Sequence, residues 1–397
     1  MKIKLVAIAR DEAAYLSEWV YHHLYFGFDA IDIYTNNISD NTRELIGLIS
    51  KKHNVSDINA DFILRCSEKG FQRIAYGIAL EKAKLDGFTH VMFLDIDEFW
   101  TPLDFKTSIK DFLVDLKDPD IVSFPWALKV DTASFSDPFE KNNRYVPAKL
   151  VKTIFKTNVN VNVLRIHNVV SRHSKSILPD GSVLAEYGEH VNETKEFYKQ
   201  LPVAFISHRL CRSQMEFVSM LGKGVADTTK SMGTLKSNRP PFIKPKSNDI
   251  FYLIEDNKYS KYISGFNKFV DDSLLEALII VAQRFVEKQY FEVIARFEYL
   301  NESEVEKFKN ILSGISLPEV RAFINGTKEK NMINLTDIKD QLYVDDKAID
   351  YLRDEALRVE KSDPELALTL MSLALSFRPG GPLLKDKVLK LRERLGH

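Results

Sequence analysis

The stretch HVMFLDIDEF at residues 90–99 places two aspartates directly after a run of four apolar residues. Such a run predicts a buried strand, with Asp95 and Asp97 at its carboxyl end. In extended backbone, residues two apart point to one side, so both carboxylates can face one cation while Ile96 turns into the core. Two hard oxygen ligands suit Mg²⁺ or Mn²⁺. The sequence therefore predicts Asp95 and Asp97 as metal ligands.

Three strand–helix units precede this motif. The apolar runs predict strands at 3–8, 31–35 and near 58–64, and helical spacing predicts helices at 16–24, 42–52 and 71–85. This rhythm indicates βαβ units and a Rossmann-like, mostly parallel sheet, hence the α/β class. Polar clusters follow the first, second and fourth strands. Open α/β sheets bind ligands outside the carboxyl ends of their strands, so these clusters are expected to converge.

Several residues in these clusters are candidate binding groups. Arg10 and Glu12 follow the first strand. Asp40 follows the second strand, where it can accept hydrogen bonds from a nucleobase or ribose, cap the next helix, or do both. Gln72 and Arg73 begin the third helix, where they can meet a phosphate or only cap the helix.

Histidines in the later part of the domain are candidates for a third metal ligand, because neutral imidazole is a common one. His167 and His208 are the candidates, His208 follows an apolar run, and a structural role stays the alternative for both. Arg209, Arg212 and Lys223 come after His208 in the chain. These cations are suited to a diphosphate.

The length of 397 residues exceeds the roughly 250–300 at which one hydrophobic core stops growing. We therefore expect more than one folded unit. The pattern predicts an α/β domain at 1–228, a basic, proline-containing loop or linker at 229–250, and a helical region at 251–397. Core packing is the first interpretation of the helical stripes, and contact with an acceptor, a partner or a second copy is the alternative.

Composition excludes several classes of protein. A net charge of −1 gives no general attraction to nucleic acid, and the phosphate-cradling glycine motifs are absent from the sequence. The two cysteines form no disulfide framework or zinc pattern. The most apolar stretch, at 274–282, is far short of the ~20 residues that span a bilayer. We expect a soluble, cytoplasmic protein, with room for peripheral contact at the inner face of the membrane.

Four segments resemble the GT-A glycosyltransferases of the family 2 and family 92 type. They are RDEAAYLSEWVYHHL at 10–24, IYTNNISD at 33–40, FLDIDEF at 93–99, and ISHRLCRSQMEF at 206–217 with Lys223-Gly224 behind it. The resemblance covers about residues 1–225. Two departures from the family pattern, Arg10-Asp11 for Lys-Asn and Arg209 for an aromatic residue, leave the donor open.

The resemblance implies a metal-dependent hexosyltransferase with a GT-A fold. Such an enzyme moves a sugar from a nucleoside-diphosphate sugar, with a UDP-sugar favoured, to a glycan or glycolipid acceptor in lipopolysaccharide or capsule synthesis. It implies that Asp95 and Asp97 hold Mn²⁺ or Mg²⁺ and that Asp40 contacts the nucleotide. It also implies that Glu12 and Glu18 line the donor pocket. His208 would then lie near the diphosphate.

The catalytic base is left open by the sequence. An inverting transferase, the favoured stereochemistry, needs a carboxylate near the acceptor hydroxyl, whereas a retaining enzyme needs no such base. Asp131, Glu186 and Glu189 all fall in predicted loops, and Glu189 is preferred because its segment is rich in turn residues.

Two other functions compete with the transferase. One is a haloacid-dehalogenase-like phosphohydrolase, whose nucleophile motif also reads Asp-x-Asp after an apolar run. Phe99 at the fifth position and the three preceding units disfavour it. The other is a non-catalytic scaffold, in which the helical half docks a partner on a degenerate transferase domain.

Overall fold

A computed structural model describes residues 1–67, 70–186, 192–224, 235–326, 346–362, 364–378 and 380–395. Its amino-terminal part alternates strands and helices. These are β1 (Ile3–Ala9), α1 (Ala13–Tyr25), β2 (Ala30–Thr35), α2 (Thr42–Ser50), β3 (Val55–Asn59), α3 (Asp61–Cys66), α4 (Phe71–Leu85) and β4 (His90–Phe93).

The middle of the described chain is rich in strands. Its elements are β5 (Glu98–Pro102), α5 (Ile109–Asp115), β6 (Ile121–Val130), β7 (Asn142–Lys156), β8 (Val163–Leu164), β9 (Val169–Val170), β10 (Ser176–Ile177), β11 (Val183–Ala185), β12 (Ala204–His208), α6 (Gln214–Leu221) and β13 (Ile250–Leu253).

One large sheet joins most of these strands, in the order β11-β10-β6-β7-β4-β1-β2-β3. In addition, β12 pairs with β6 and with β5, and β13 pairs with β7. Strands β3, β2, β1 and β4 are mutually parallel. Strand β7 pairs antiparallel with both β4 and β6, so β6 runs in the direction of β4, and β12 pairs parallel with β6. The carboxyl ends of β1, β2, β4 and β12 therefore meet at one edge.

One predicted strand is corrected. The run near 58–64 splits into β3, which begins earlier, and the short helix α3. The side chain of Asn59 accepts a hydrogen bond of 2.9 Å from the N–H of Asp61, which turns the chain at this point. Leu64 is buried while Phe62 is 69% exposed, as helical rather than strand spacing requires.

The carboxyl-terminal part is helical, as predicted. It consists of α7 (Asp256–Val270), α8 (Ser273–Arg296), a 3₁₀ turn (Phe297–Tyr299), α9 (Glu302–Leu312), α10 (Pro318–Asn325), α11 (Asp346–Val359), α12 (Pro364–Phe377) and α13 (Pro382–Leu395). Within the described helices, no segment has the length and apolar character needed to cross a bilayer.

The helical part shares a core with the α/β part. Trp19 of α1, Leu278 of α8 and Leu370 of α12 belong to the same buried cluster. The side-chain amide of Asn41 donates to the carbonyl of Leu278 at 2.8 Å, which ties the start of α2 to α8. The predicted α/β class with a helical carboxyl-terminal region is confirmed.

Candidate functional site

The acidic motif forms a turn between β4 and β5. The indole N–H of Trp19 donates to the carbonyls of Asp95 and Glu98, at 3.0 and 2.9 Å, and so fixes both ends of the turn from α1. Ile96 is 3% exposed, as predicted for a side chain that turns into the core. The side chains of Asp95 and Asp97 are 38% and 18% exposed. Both carboxylates are thus accessible at the carboxyl edge of the sheet.

A buried lysine neutralises part of this turn. The ammonium of Lys152, on β7, lies 3.0 Å from Asp95 Oδ2 and 3.0 Å from Glu98 Oε2, and the side chains of Lys152 and Glu98 are fully buried. Burial raises the pKa of Glu98 to about 7, against the pull of Lys152. The two carboxylates outweigh burial and raise the pKa of Lys152 above its ordinary range. Sequence reasoning missed this residue, although a lysine inside the apolar run LVKTIF is a detectable signal.

The two predicted histidines both contact one tryptophan. The ring of Trp126, on β6, is 4.3 Å from that of His208 and 5.2 Å from that of His167, measured between centroids. His208 Nε2 lies 3.6 Å from Asp97 Oδ2. Burial and the nearby Lys152 lower the pKa of His167 to about 4, so this imidazole is neutral at neutral pH.

Asp97 and His208 shift each other's pKa. Burial alone would raise the pKa of Asp97, but His208 and Arg212 hold it below its usual range. Burial alone would lower the pKa of His208, and Asp97 raises it above the ordinary value. The pair therefore holds Asp97 ionised.

The carboxylate oxygens of this turn fit a divalent cation that takes its remaining ligands from the substrate. The described residues contain no ready-made group of three or more His, Cys, Asp or Glu ligands. Mg²⁺ and similar ions are, however, bound through one or two carboxylates together with phosphate oxygens rather than by a complete protein cage. Asp97 and the Oδ1 side of Asp95 supply this kind of donor. The metal roles of Asp95, Asp97, His167 and His208 stay a prediction.

A second ionic cluster lies where α1 begins. Glu12 contacts Arg212 Nη2 at 2.9 Å and Lys223 Nζ at 2.6 Å. The ammonium of Lys223 also donates to the carbonyls of Arg10 and Asp11, at 3.1 and 2.8 Å. Burial acts to raise the pKa of Glu12, but the two cations lower it. Glu12 thus anchors two of the cations that the sequence associates with a diphosphate.

Asp40 serves as a cap for two helices. Its carboxylate accepts hydrogen bonds from the N–H groups of Ala13 at 3.0 Å and Thr42 at 2.9 Å, at the starts of α1 and α2. Burial, with the neighbouring Asp11, raises its pKa to about 6. Asp40 thus accepts from the first N–H of each helix, and its contact with a nucleotide stays a prediction.

The start of α4 reaches the acidic turn through one residue. The amide of Gln72 donates to Asp95 Oδ1 at 3.4 Å and to the hydroxyl of Tyr76 at 2.9 Å. Arg73, its neighbour, is exposed. Gln72 therefore orients Asp95, while a phosphate contact by Arg73 stays a prediction.

Glu18 and Arg209 form a further buried pair beside His208. Glu18 Oε2 lies 3.4 Å from Arg209 Nη1, and Arg209 is 2% exposed. Burial raises the pKa of Glu18 to about 8, although Arg209 opposes this shift. The backbone N–H of Arg209 donates to the carbonyl of Asp97 at 2.8 Å, so this pair joins α1 to the acidic turn.

The candidate bases are spread over the described surface. Asp131 follows β6 with a positive φ of 63°. Its side chain is 65% exposed, and its carboxylate lies 3.7 Å from Arg144. Glu186 is exposed and pairs with Lys175. Glu189 lies outside the described residues, so the identity of the base stays a prediction.

Comparison with known proteins finds distant structural likenesses. The sequence matches no protein-family model and no curated protein. The galactosyltransferase LgtC, in complex with donor and acceptor sugar analogues, is 17% identical with a TM-score of 0.20, and the match covers 32% of this chain and 46% of LgtC. TarS 1–349 of S. aureus is 12% identical with a TM-score of 0.24, over 100% of this chain and 92% of TarS. The same values hold for TarS 1–349 in complex with UDP.

This chain therefore spans less than half the length of LgtC.

Proposed function

We propose that this chain is a glycosyltransferase that moves a sugar from a nucleoside-diphosphate sugar to a glycan or glycolipid acceptor. One observation carries the proposal. Two accessible carboxylates, Asp95 and Asp97, lie in a turn at the carboxyl edge of the parallel strands, with the cations Arg212 and Lys223 at the neighbouring strand end. Edge carboxylates with nearby cations are what a diphosphate and its divalent ion require.

In this proposal Asp97 and Asp95 hold Mn²⁺ or Mg²⁺, which stabilises the negative charge that develops on the departing diphosphate. The protein residues keep this arrangement in place. Lys152 and Gln72 orient the carboxylate of Asp95, and His208 keeps Asp97 ionised. Trp126 packs against the His208 ring.

The proposal also covers the catalytic base, the donor and the acceptor. Inversion at the sugar carbon needs a carboxylate base near the acceptor hydroxyl, and Asp131, Glu186 and Glu189 are the candidates. A UDP-sugar is the proposed donor, and lipopolysaccharide or capsule is the proposed product class. The helical region α7–α13 is proposed to shape the acceptor side or an oligomer contact.

A calorimetric panel of nucleoside diphosphates with and without Mn²⁺ tests the proposal. Wild type is expected to bind one nucleotide in a metal-dependent manner, and Asp97→Asn to lose that dependence. Asp115→Asn, at an exposed aspartate that ends α5, is the matched control and should bind like wild type. Well-folded wild type that binds no nucleoside diphosphate would contradict the transferase and favour the scaffold.

A further inference from the structure

The described part of the basic, proline-containing stretch packs against α6 and the segment that follows β12. We call residues 235–248 the strap. The N–H of Lys236 donates to the carbonyl of Leu221 at 2.7 Å, at the end of α6. The guanidinium of Arg239 donates to the carbonyl of Leu210 at 2.6 Å, close to His208 in the chain. The strap thereby brings two cations that the sequence interpretation left without a role.

These cations add to a group that already carries positive charge. Four cationic side chains, Arg212, Lys223, Lys236 and Arg239, interact electrostatically with one another and with the carboxylates of Glu12 and Asp97, and Arg212 also interacts with Glu216. Burial, together with the neighbouring cations, lowers the pKa of Lys236 and of Arg239. Like charges that are held close together are unfavourable, so a bound anion would stabilise this group of cations.

Buried donors in the same group lack acceptors. The side chain of Arg212 is 2% exposed, and its Nη1 has no hydrogen-bond partner in the described structure. Nε of Arg239 is also buried without a partner there. Leaving such donors unpaired costs free energy. A ligand with several negatively charged oxygens would satisfy them, because the planar guanidinium fork matches phosphate geometry.

We infer that the four cationic side chains form a binding site for the diphosphate group of a nucleotide, with affinity in the absence of any divalent cation. The inference rests on the proposed function and names the groups that recognise the leaving group. The metal that Asp97 would hold and the strap cations would then contact the same diphosphate. Arg212 links the two sets, since it bonds to Glu12 and also lowers the pKa of Asp97.

Calorimetry with inorganic pyrophosphate in EDTA tests this site. Wild type is expected to bind pyrophosphate without metal. Arg239→Gln and Lys236→Gln are each expected to weaken binding by roughly ten- to a hundredfold, the range for one hydrogen bond to a charged group. Lys246→Gln removes an exposed cation from the same strap and should bind as wild type does. Lys236→Arg keeps the charge and should retain most of the affinity.

A second measurement needs no substitution. Acetic anhydride labels accessible lysines of the wild-type chain, and mass spectrometry reads the extent at each position. Pyrophosphate in EDTA is expected to protect Lys223 and Lys236 and to leave Lys246 unprotected. This comparison holds even where a variant fails to fold.

Three results would overturn the inference. The first is wild type that binds no pyrophosphate in EDTA. The second is that the Arg239→Gln and Lys236→Gln variants bind pyrophosphate as wild type does. The third is an equal loss of binding in Lys246→Gln, which would show a general charge effect. Wild type that binds a nucleoside diphosphate with Mn²⁺ but no pyrophosphate in EDTA rejects this inference and leaves the proposed function standing. Wild type that binds neither ligand rejects both.

Discussion

The ammonium of Lys152 lies 3.0 Å from Oδ2 of Asp95, although 57 positions separate the two residues in the chain. The same nitrogen lies 3.0 Å from Glu98 Oε2. Strand β7 pairs with β4 and so delivers a fully buried cation to the back of the acidic turn. The turn can therefore carry three acidic residues among four positions without leaving all of their charge uncompensated.

Lys152→Met is expected to lower the free energy of unfolding by about 3–5 kcal/mol, because it strands the buried carboxylate of Glu98. The double variant Lys152→Met/Glu98→Leu is expected to regain most of this loss, since an apolar pair replaces the ions. Urea unfolding measures both. Lys84→Met removes an exposed lysine and serves as control. A single variant as stable as wild type would contradict the prediction.

Asp40→Ala is expected to lower the free energy of unfolding by about 1–2 kcal/mol, because it removes the cap shared by α1 and α2. Thermal or urea unfolding measures the loss. Asp115→Ala, at an exposed position, should change stability by less than about 0.5 kcal/mol. Equal stability of Asp40→Ala and wild type would show that the two hydrogen bonds contribute nothing.

Gly265→Ala is expected to destabilise the packing of α7 on α1. A Cβ at this position would overlap the hydroxyl oxygen of Tyr21 and lie 3.2 Å from its Cζ. Such overpacking costs about 1–3 kcal/mol. Tyr21→Phe removes the overlapping oxygen, so the double variant should be less destabilised than the sum of the single changes. Gly77→Ala is the matched control, because its Cβ would meet no atom within 4 Å.

The measurement for this packing prediction is urea unfolding at one fixed pH. A Gly265→Ala variant as stable as Gly77→Ala would mean that α7 does not pack on α1 as described. If the changes in the free energy of unfolding are additive in Tyr21→Phe/Gly265→Ala, the tyrosine hydroxyl is not the source of the destabilisation.

Glu18 is expected to make stability depend on pH. Its pKa is raised to about 8 in the folded chain, from an unfolded value of about 4.3. The folded state then binds more protons than the unfolded state, so its contribution is fully present below about pH 4 and is lost as pH rises through 8. Glu18→Gln should flatten the decline between pH 5 and 8. An unchanged slope in urea unfolding would contradict the shift.

Local sequence determined the elements and the acidic turn. Apolar periodicity and turn residues act over a few positions, so they were sufficient to predict the alternation from β1 to β4 and the carboxylates of Asp95 and Asp97 at a strand end. The same signals misplaced the strand near 58–64, because Phe62, Ile63 and Leu64 form an apolar run that suits a helix as well as a strand.

Tertiary structure alone decided which distant groups meet at the site. Pairing of β7 with β4 brings Lys152 to Asp95, and pairing of β12 with β5 and β6 brings His208 to Asp97. The strap carries Arg239 to α6 by contacts that have no periodic signature in the sequence. Strand order and loop docking depend on packing between segments far apart in the chain. For this reason the sequence determined the chemistry of the turn, and the fold determined its counter-ions.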